Sequence, residues 1–441
     1  MRVSLTLIAA VVTAGCSVTR SSTEQDLGVY IDTLHAIDSH AHPMAAVAAG
    51  APADTDFDAL PLDGIPPFDL PLGLRAGNPL YRDAQRSLFG VAGGDSGSTD
   101  ATLFAKAHAR QQEQRGDRFP AWVLDQLHID VMMANRVAMG AGLASPRFRW
   151  VAFADPLMLP LDGSQEAERT PDVKPLYPLE AKLLRRYLRD LAITKLPATL
   201  DRYIHEVVAA TLEREHAGGA VAVKFEAAYL RGLDFEPADS AAAAAIYARF
   251  AATGKPTHAE YKLLQDYLVR VIAREAGQRG LAVQIHSLDG FGGFYSASGA
   301  APHNLESMFN DRTLRSTRFV IVHGGWPLVG ETLGLLAKPN VYADISMMDQ
   351  LAEPAALSRT LRMWLAVWPE KVMFGTDAFD GGVQQGWEQV GWVASHNARR
   401  ALADALGGMV RDNEITGVRA RELARMVLHD NAVAAYHLNE K

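Results

Sequence analysis

Only one cysteine, Cys16, occurs in the whole chain of 441 residues. A lone thiol excludes an intramolecular disulfide framework and a thiolate zinc cluster, so any metal here must be held by His, Asp, Glu or a modified Lys. Basic charge is scarce as well. The 43 Lys and Arg are outnumbered by 51 Asp and Glu, giving a net charge of -8 and a pI near 6.0. No basic stripe stands out along the chain, which argues against nucleic acid as a partner, because phosphate binding needs clustered cations. There is neither an internal repeat of fixed period nor a low-complexity block. Hydrophobic residues make up 48% of the chain, ample for a large core. The length allows two or three domains, or one helix-wrapped barrel with insertions, which can exceed about 400 residues.

Long apolar runs are missing too. The first 16 residues, MRVSLTLIAAVVTAGC, contain an apolar stretch from Leu5 to Val12, too short for a permanent span of about 20 residues. A basic Arg2 precedes it, and Ala14 and Gly15 follow it before Cys16, the order of regions in a secretory signal. The TAGC ending resembles a bacterial lipoprotein cleavage box, which implies removal of residues 1–15 and lipidation of Cys16. Residues 16–30 are expected to form a polar tether, with one catalytic domain over residues 31–441. The resulting expectation is an exported protein of soluble build, held at the cell envelope by acyl chains.

Strand-like runs then alternate with helical patterns. The runs are AIDSHAHP (36–43), HIDVMMANRVAM (128–139), FRWVAFADP (148–156), AVAVKFEAA (220–228), LAVQIHSL (281–288), RFVIVHGG (318–325), NVYADISM (340–347) and KVMFGTDA (371–378). Between them lie segments such as EYKLLQDYLVRVIAREAGQRG (260–280), whose apolar residues recur at helical spacing and which stops at a glycine. Eight alternating units imply a parallel sheet covered by helices, either a closed (β/α)8 TIM barrel or an open doubly wound sheet, with the barrel preferred. Two stretches break the rhythm, residues 44–120 after the first strand and 157–215 after the third. In a barrel, loops after strands lie on the reactive face, so these insertions are candidates for a lid or a pocket wall.

The strand ends carry an unusual load. Period-two alternation places Asp38, His40 and His42 on one face, and likewise Lys224 with Glu226, Gln284 with His286, Ile321 with His323, and Gly375 with Asp377. Barrel interiors are normally packed with branched apolar residues. Unpartnered polar groups there would cost about 2–7 kcal/mol each. A shared divalent cation satisfies all of them at once, and imidazole with carboxylate and no sulfur suits zinc best, ahead of iron or manganese. Arg231 is a candidate for gripping a substrate carboxylate, unless it pairs with Asp234 or Glu236. Trp326 is a candidate for lining the pocket, and His303 for supporting the site. His35, His108, His128, His205, His216, His258, His396, His429 and His437 are read as structural.

The ordered set resembles the amidohydrolase superfamily of metal-dependent (β/α)8 hydrolases. Its motifs are AIDSHAHP, AVKFEAAYLRGLDF, LAVQIHSLDGFGG, FVIVHGGWPLVGE, NVYADIS, KVMFGTDAF and VLHDNAVAAYHL, over residues 36–438. The finer likeness is to the branch containing aminocarboxymuconate-semialdehyde decarboxylase-like enzymes, and within it to nodulin- and FluG-type domains. That resemblance implies that His40, His42, His286 and Asp377 ligate a metal, and that His323 binds a second metal or polarises a substrate carbonyl. Lys224 would be carboxylated and bridge two metals, or would be an ordinary lysine pairing with Glu226 or a substrate carboxylate. One or two ions per chain follow from these alternatives.

The expected chemistry is attack of a metal-activated water on an amide or ester bond, open or cyclic, of a small molecule, with Asp377 moving the proton. Three rivals are nonoxidative decarboxylation at the same site, an envelope dipeptidase or γ-glutamyl hydrolase, and a surface lipoprotein that retains the barrel only for binding. Substrate identity and oligomeric state stay open at this level, homo-oligomers included.

Overall fold

In the computed structural model, described over residues 22–43, 70–75, 77–91, 97–140, 142–169, 173–288, 290, 295–380 and 385–438, eight parallel strands form one sheet in sequence order. They are β1 (Ala36–Ala41), β2 (Ile129–Asn135), β3 (Phe148–Phe153), β4 (Ala220–Phe225), β5 (Ala282–His286), β6 (Phe319–Val322), β7 (Val341–Asp344) and β8 (Val372–Met373). β8 is only two residues long, but the chain beyond it continues the ladder. Ser39 N donates to Phe374 O, Asp377 N to His40 O and His42 N to Ala378 O, at 2.7–3.0 Å. These bonds bring the last strand against the first, and helices surround the nearly closed ring, as in a (β/α)8 barrel.

Packing divides the barrel along its axis. Towards the start of the strands, Ile37, Met133, Val151, Ala222, Ala282, Val320 and Met373 fill the interior, and Ala432, Ala435 and Tyr436 of the C-terminal helix close it off. Towards the strand ends the interior turns polar, with His40, Asn135, Lys224, Gln284 and His286 all buried. Outward-facing Val223, Phe225, Ile285, Phe319, Ile321 and Phe374 meet the surrounding helices. One of those helices, His258–Gln278, begins with a reciprocal cap in which Thr257 and Glu260 bond each other's backbone N–H, and it ends before Gly280 at φ +72°.

Residues 1–21, which include the expected signal over residues 1–15 and Cys16, and residues 44–69 of the first insertion lie outside the described residues. Part of the stretch expected as a tether, residues 16–30, is described from Ser22 onward. Ser22–Thr33 is a helix, with Leu27 and Ile31 buried. Arg399, from the long helix Trp387–Arg411, donates to the Ile31 carbonyl at 2.6 Å. Among the described residues no helix is long and apolar enough to cross a membrane. Both insertions contain helices. Tyr81 and Ala84 of Pro79–Phe89 pack on Val390 and Val393, while Tyr187 of Leu176–Asp190 donates to the Phe153 carbonyl at the end of β3.

One buried acid makes the fold pH-sensitive. Glu215 is buried with neither carboxylate oxygen hydrogen-bonded. Desolvation pushes its pKa from the usual 4.5 to about 8, with Arg214 opposing and Asp190 adding to the rise. The folded chain therefore holds this proton more tightly than the unfolded chain, so stability falls as pH rises between those two values. Glu215→Gln should melt higher than the parent near pH 9 and match it near pH 4. Thermal melts across that range check the difference.

Candidate metal centre

The side chains at the strand ends converge. His40 Nε2 lies 3.2 Å from Asp377 Oδ1, and His42 Nε2 lies 3.6 Å from the same oxygen. One donor atom from each of these three residues falls within 4.8 Å of the others. An ion about 2.1 Å from each ligand would separate neighbouring ligand atoms by about 3.0 Å in an octahedron and 3.4 Å in a tetrahedron. The two spacings to Asp377 Oδ1 lie near those edges, and the donor set of two imidazoles and a carboxylate suits a divalent cation. Backbone geometry brings Asp377 there, since its φ of +49° is rare for a residue with a side chain.

His40 is locked by its surroundings. Gln284 donates from Nε2 to the Ser39 carbonyl and to the Tyr436 hydroxyl, both at 2.8 Å, which turns its Oε1 towards His40 Nδ1 at 3.1 Å. Asn135 Nδ2 lies 2.9 Å from the same nitrogen, so Nδ1 is held between two amides while Nε2 faces Asp377 Oδ1. Burial, helped by the charges of Lys224 and His42, holds the His40 pKa well below the imidazole range. Asp38 sits deeper on the same strand. It accepts from Thr376 N at 2.9 Å, Thr376 Oγ1 at 2.5 Å and His40 N at 3.2 Å, so it braces β1 against the chain after β8.

The remaining predicted groups lie on either side of this triad. His286 Nδ1 is 3.1 Å from His323 Nε2 and 3.3 Å from Glu226 Oε2. His323 Nε2 is 3.9 Å from Asp377 Oδ2, and burial pushes its pKa well below the usual value despite the pull of Asp377. Lys224, fully buried, donates to Glu226 at 2.6 Å and lies 3.5 Å from His40 Nε2. His323 reaches the site by a different route from the one alternation suggests. Val320 and Val322 face the barrel interior while Phe319 and Ile321 face the helices, so a continuing strand would turn residue 323 outward. Its φ of +63° swings the ring back in.

Three other candidates are placed elsewhere or differently. Arg231 is engaged with Asp266 at 2.6 Å and Gln265 at 3.0 Å, with Asp234 at 3.8 Å, so its guanidinium serves the loop after β4. His303 is exposed and paired with Glu331 at 2.8 Å. Trp326 is half-buried against the outer core. Other residues join the site that sequence reasoning did not single out. The Tyr229 ring is 4.7 Å from His286 and 5.4 Å from Tyr295, and Phe153 is 6.3 Å from His42. Asp155 accepts from Glu226 N at 2.8 Å. Burial raises its pKa to about 8, and that of nearby Glu180 well above the carboxylate range.

The first insertion reaches this mouth through Gly73. A Cβ there would lie 2.0 Å from the Gln350 carbonyl oxygen, and Gln350 donates to the Thr376 and Asp377 carbonyls at 2.6 and 3.1 Å. Gly73→Ala must therefore displace the segment that orients Asp377. Misplacement of a reacting group by about 1 Å can lower a rate about 100-fold. We expect a loss of that size in turnover with metal content retained, read by steady-state kinetics beside elemental analysis.

A profile of the amidohydrolase family matches residues 189–438, spanning β4 to the C-terminal helix. No curated protein matches the sequence. Among solved structures, a Lactobacillus casei protein assigned as a metal-dependent hydrolase superposes with a TM-score of 0.58 at 17% identity, covering 94% of this chain and 98% of that one. Uronate isomerase from Thermotoga maritima gives 0.57 at 15% identity, with 95% and 98% covered. Glucuronate isomerase from Caulobacter crescentus gives 0.55 at 14%, with 95% of each chain covered. At such identities the likeness is one of fold.

Proposed function

Because the chain belongs to the amidohydrolase family, we propose that it is a metal-dependent hydrolase cleaving an amide or ester bond, open or cyclic, of a small molecule. The observation that carries this reading is the meeting of His40, His42 and Asp377 at the barrel mouth. These three would hold a divalent ion, zinc before iron or manganese, with His323 as the nearest further imidazole and His286 beside it. When bound, the ion supplies a water acidified towards pH 7 and a positive charge against the scissile carbonyl.

The chain's own groups do the rest. Asp377 presents Oδ1 to His40 and His42 and Oδ2 towards His323. It is placed to take the proton of the attacking water and return it to the leaving group. Lys224 and Glu226 form a buried ion pair on one wall. Tyr229, Tyr295 and Phe153 add aromatic surface around His286 and His42, which limits bulk water and favours a small substrate.

Decarboxylation at the same site would be favoured by an Arg231 free to grip a substrate carboxylate, and Arg231 is engaged by Asp266 and Gln265. Elemental analysis of the purified protein, followed by a panel of amides, esters and lactones, tests the reading. Metal at one or two ions per chain with hydrolytic turnover supports it. Metal-free protein, release of carbon dioxide, or isomerisation of a uronic acid would replace it. We also propose attachment to the cell envelope through Cys16, on the basis of the TAGC box. Incorporation of a labelled fatty acid that persists in Cys16→Ser would refute that.

A further inference from the structure

A cavity of about 630 Å³ lies at the end of the barrel away from the metal centre. Asp32 and His128, which line it, stand just before β1 and β2, where the parallel strands begin, whereas the metal centre gathers where they end. The facing wall is the helix Trp387–Arg411, through Ser395, His396, Arg399 and Arg400. Cavities of about 300–1,000 Å³ suit small-molecule ligands.

The charge in this cavity is poorly compensated. Arg399 is 7% exposed, and it donates to the Ile31 carbonyl at 2.6 Å and to the His128 carbonyl and the Ser395 hydroxyl at 3.3 Å. A guanidinium has more N–H groups than these bonds use. Among the described residues no carboxylate pairs with it. Burial pulls its pKa down to about 10 against the opposing charge of Asp32, as expected of a buried cation without a close counter-ion. Arg400 is exposed and makes no hydrogen bond or ion pair among the described residues. Burial lowers the pKa of His396 and the Arg400 charge lowers it further, so this cation stands close to the imidazole, whose ring is stacked on Trp392 at 5.0 Å. Two guanidiniums against the single carboxylate of Asp32 make the cavity positive on a chain of net charge -8.

We propose that this cavity binds a phosphate ester, with the phosphate held between Arg399 and Arg400. Ser395 with Arg399, and His396 with Arg400, are i,i+4 pairs that share one side of the helix. Ser395 accepts from Arg399 Nε, so its own hydroxyl hydrogen is available to a third oxygen of the ligand. A phosphate dianion offsets both guanidiniums, while a carboxylate offsets one. Arg399 also holds the last turn of Ser22–Thr33 through the Ile31 carbonyl, so an occupied cavity ties that helix more firmly to the barrel. The site stands independently of the reaction at the metal centre.

Calorimetric titration of the full-length protein with inorganic phosphate and with glycerol phosphate tests the site. Phosphate also binds metal ions, so each titration is run on the parent, on His42→Ala and on Arg400→Ala. The expected result is saturable binding that persists in His42→Ala and weakens at least about 10-fold in Arg400→Ala, the usual worth of a charge-assisted hydrogen bond. Without ligand Arg400→Ala should melt with the parent, since Arg400 makes no bond, and added phosphate should raise the melting temperature of the parent and His42→Ala more than that of Arg400→Ala. Capture on phosphatidylglycerol vesicles that depends on Arg400 would identify a lipid headgroup as the ester, and Arg400-dependent binding of glycerol phosphate in solution would identify a soluble one. Equal binding by Arg400→Ala and the parent, loss of binding in His42→Ala alone, or no saturable binding overturns the proposal.

Discussion

Replacing both His40 and His42 by Ala should leave protein that retains no stoichiometric metal and turns over at least about 1,000-fold more slowly. A bound metal contributes several kcal/mol to the transition state, and each 1.4 kcal/mol or so is tenfold in rate. Two of the three atoms that define the centre would be gone, and Asp377 alone cannot retain an ion against water. The two residues differ in what else they do. His40 is fully buried, and Gln284 faces its ring nitrogen, so truncation strands a buried amide oxygen at about 1–3 kcal/mol. His42 is 14% exposed and should cost less. His42→Ala is therefore the control for folding, and it should lose metal affinity while melting close to the parent. Elemental analysis, circular dichroism and kinetics on the single and double variants check this. Full activity in the double variant would end the metal-centre reading.

How far the sequence could be read depended on the kind of signal. Each strand lies within its expected run because parallel strands, buried on both faces, leave continuous apolar stretches between helical patterns. The ends were harder to place. The observed β8 stops at Met373, since the chain after it bonds β1 through separated backbone contacts. His40, His42, Lys224 and His286 were legible because ionisable side chains in an apolar strand stand out. His323 and Asp377 stand out for the same reason, but their approach to the site depends on left-handed backbone that no periodicity encodes. Ser346 and Asp344 carry no sequence signal of their own, because a serine and an acid at a strand end are common, although Asp344 accepts from the His323 backbone N–H. Glu180 lies in a helix that reads as an ordinary amphipathic surface element, and it is buried where that helix packs against the short helix Asp155–Met158 after β3. Arg231 is the opposite case. Its sequence context suited a substrate clamp, and the acid that engages it, Asp266, comes from a helix some 35 residues further on.

Lys224→Met should destabilise the protein by about 3–5 kcal/mol, the usual cost of removing one partner from a buried ion pair. Lys224 and Glu226 are both buried, 2.6 Å apart. Without the ammonium, Glu226 faces His286 and has Asp155 on its own backbone N–H, and Asp155 and Glu180 are already pushed towards protonation by burial and by the charge of Glu226, with Asp155 adding to the rise at Glu180. Three crowded carboxyl groups would then share no cation. The double variant Lys224→Met with Glu226→Gln should recover most of the loss, because it removes the stranded charge and keeps the shape. Denaturant melts of the two single variants and the double variant give the coupling directly, and independent, additive losses would refute the pairing. The same set addresses the other reading of this lysine. A carboxylated Lys224 bridging two ions requires nearly two metals per parent chain, and a drop on substitution. A lysine that serves only as the partner of Glu226 requires nearly one metal per chain in the parent, with the ion still bound in Lys224→Met wherever that variant remains folded.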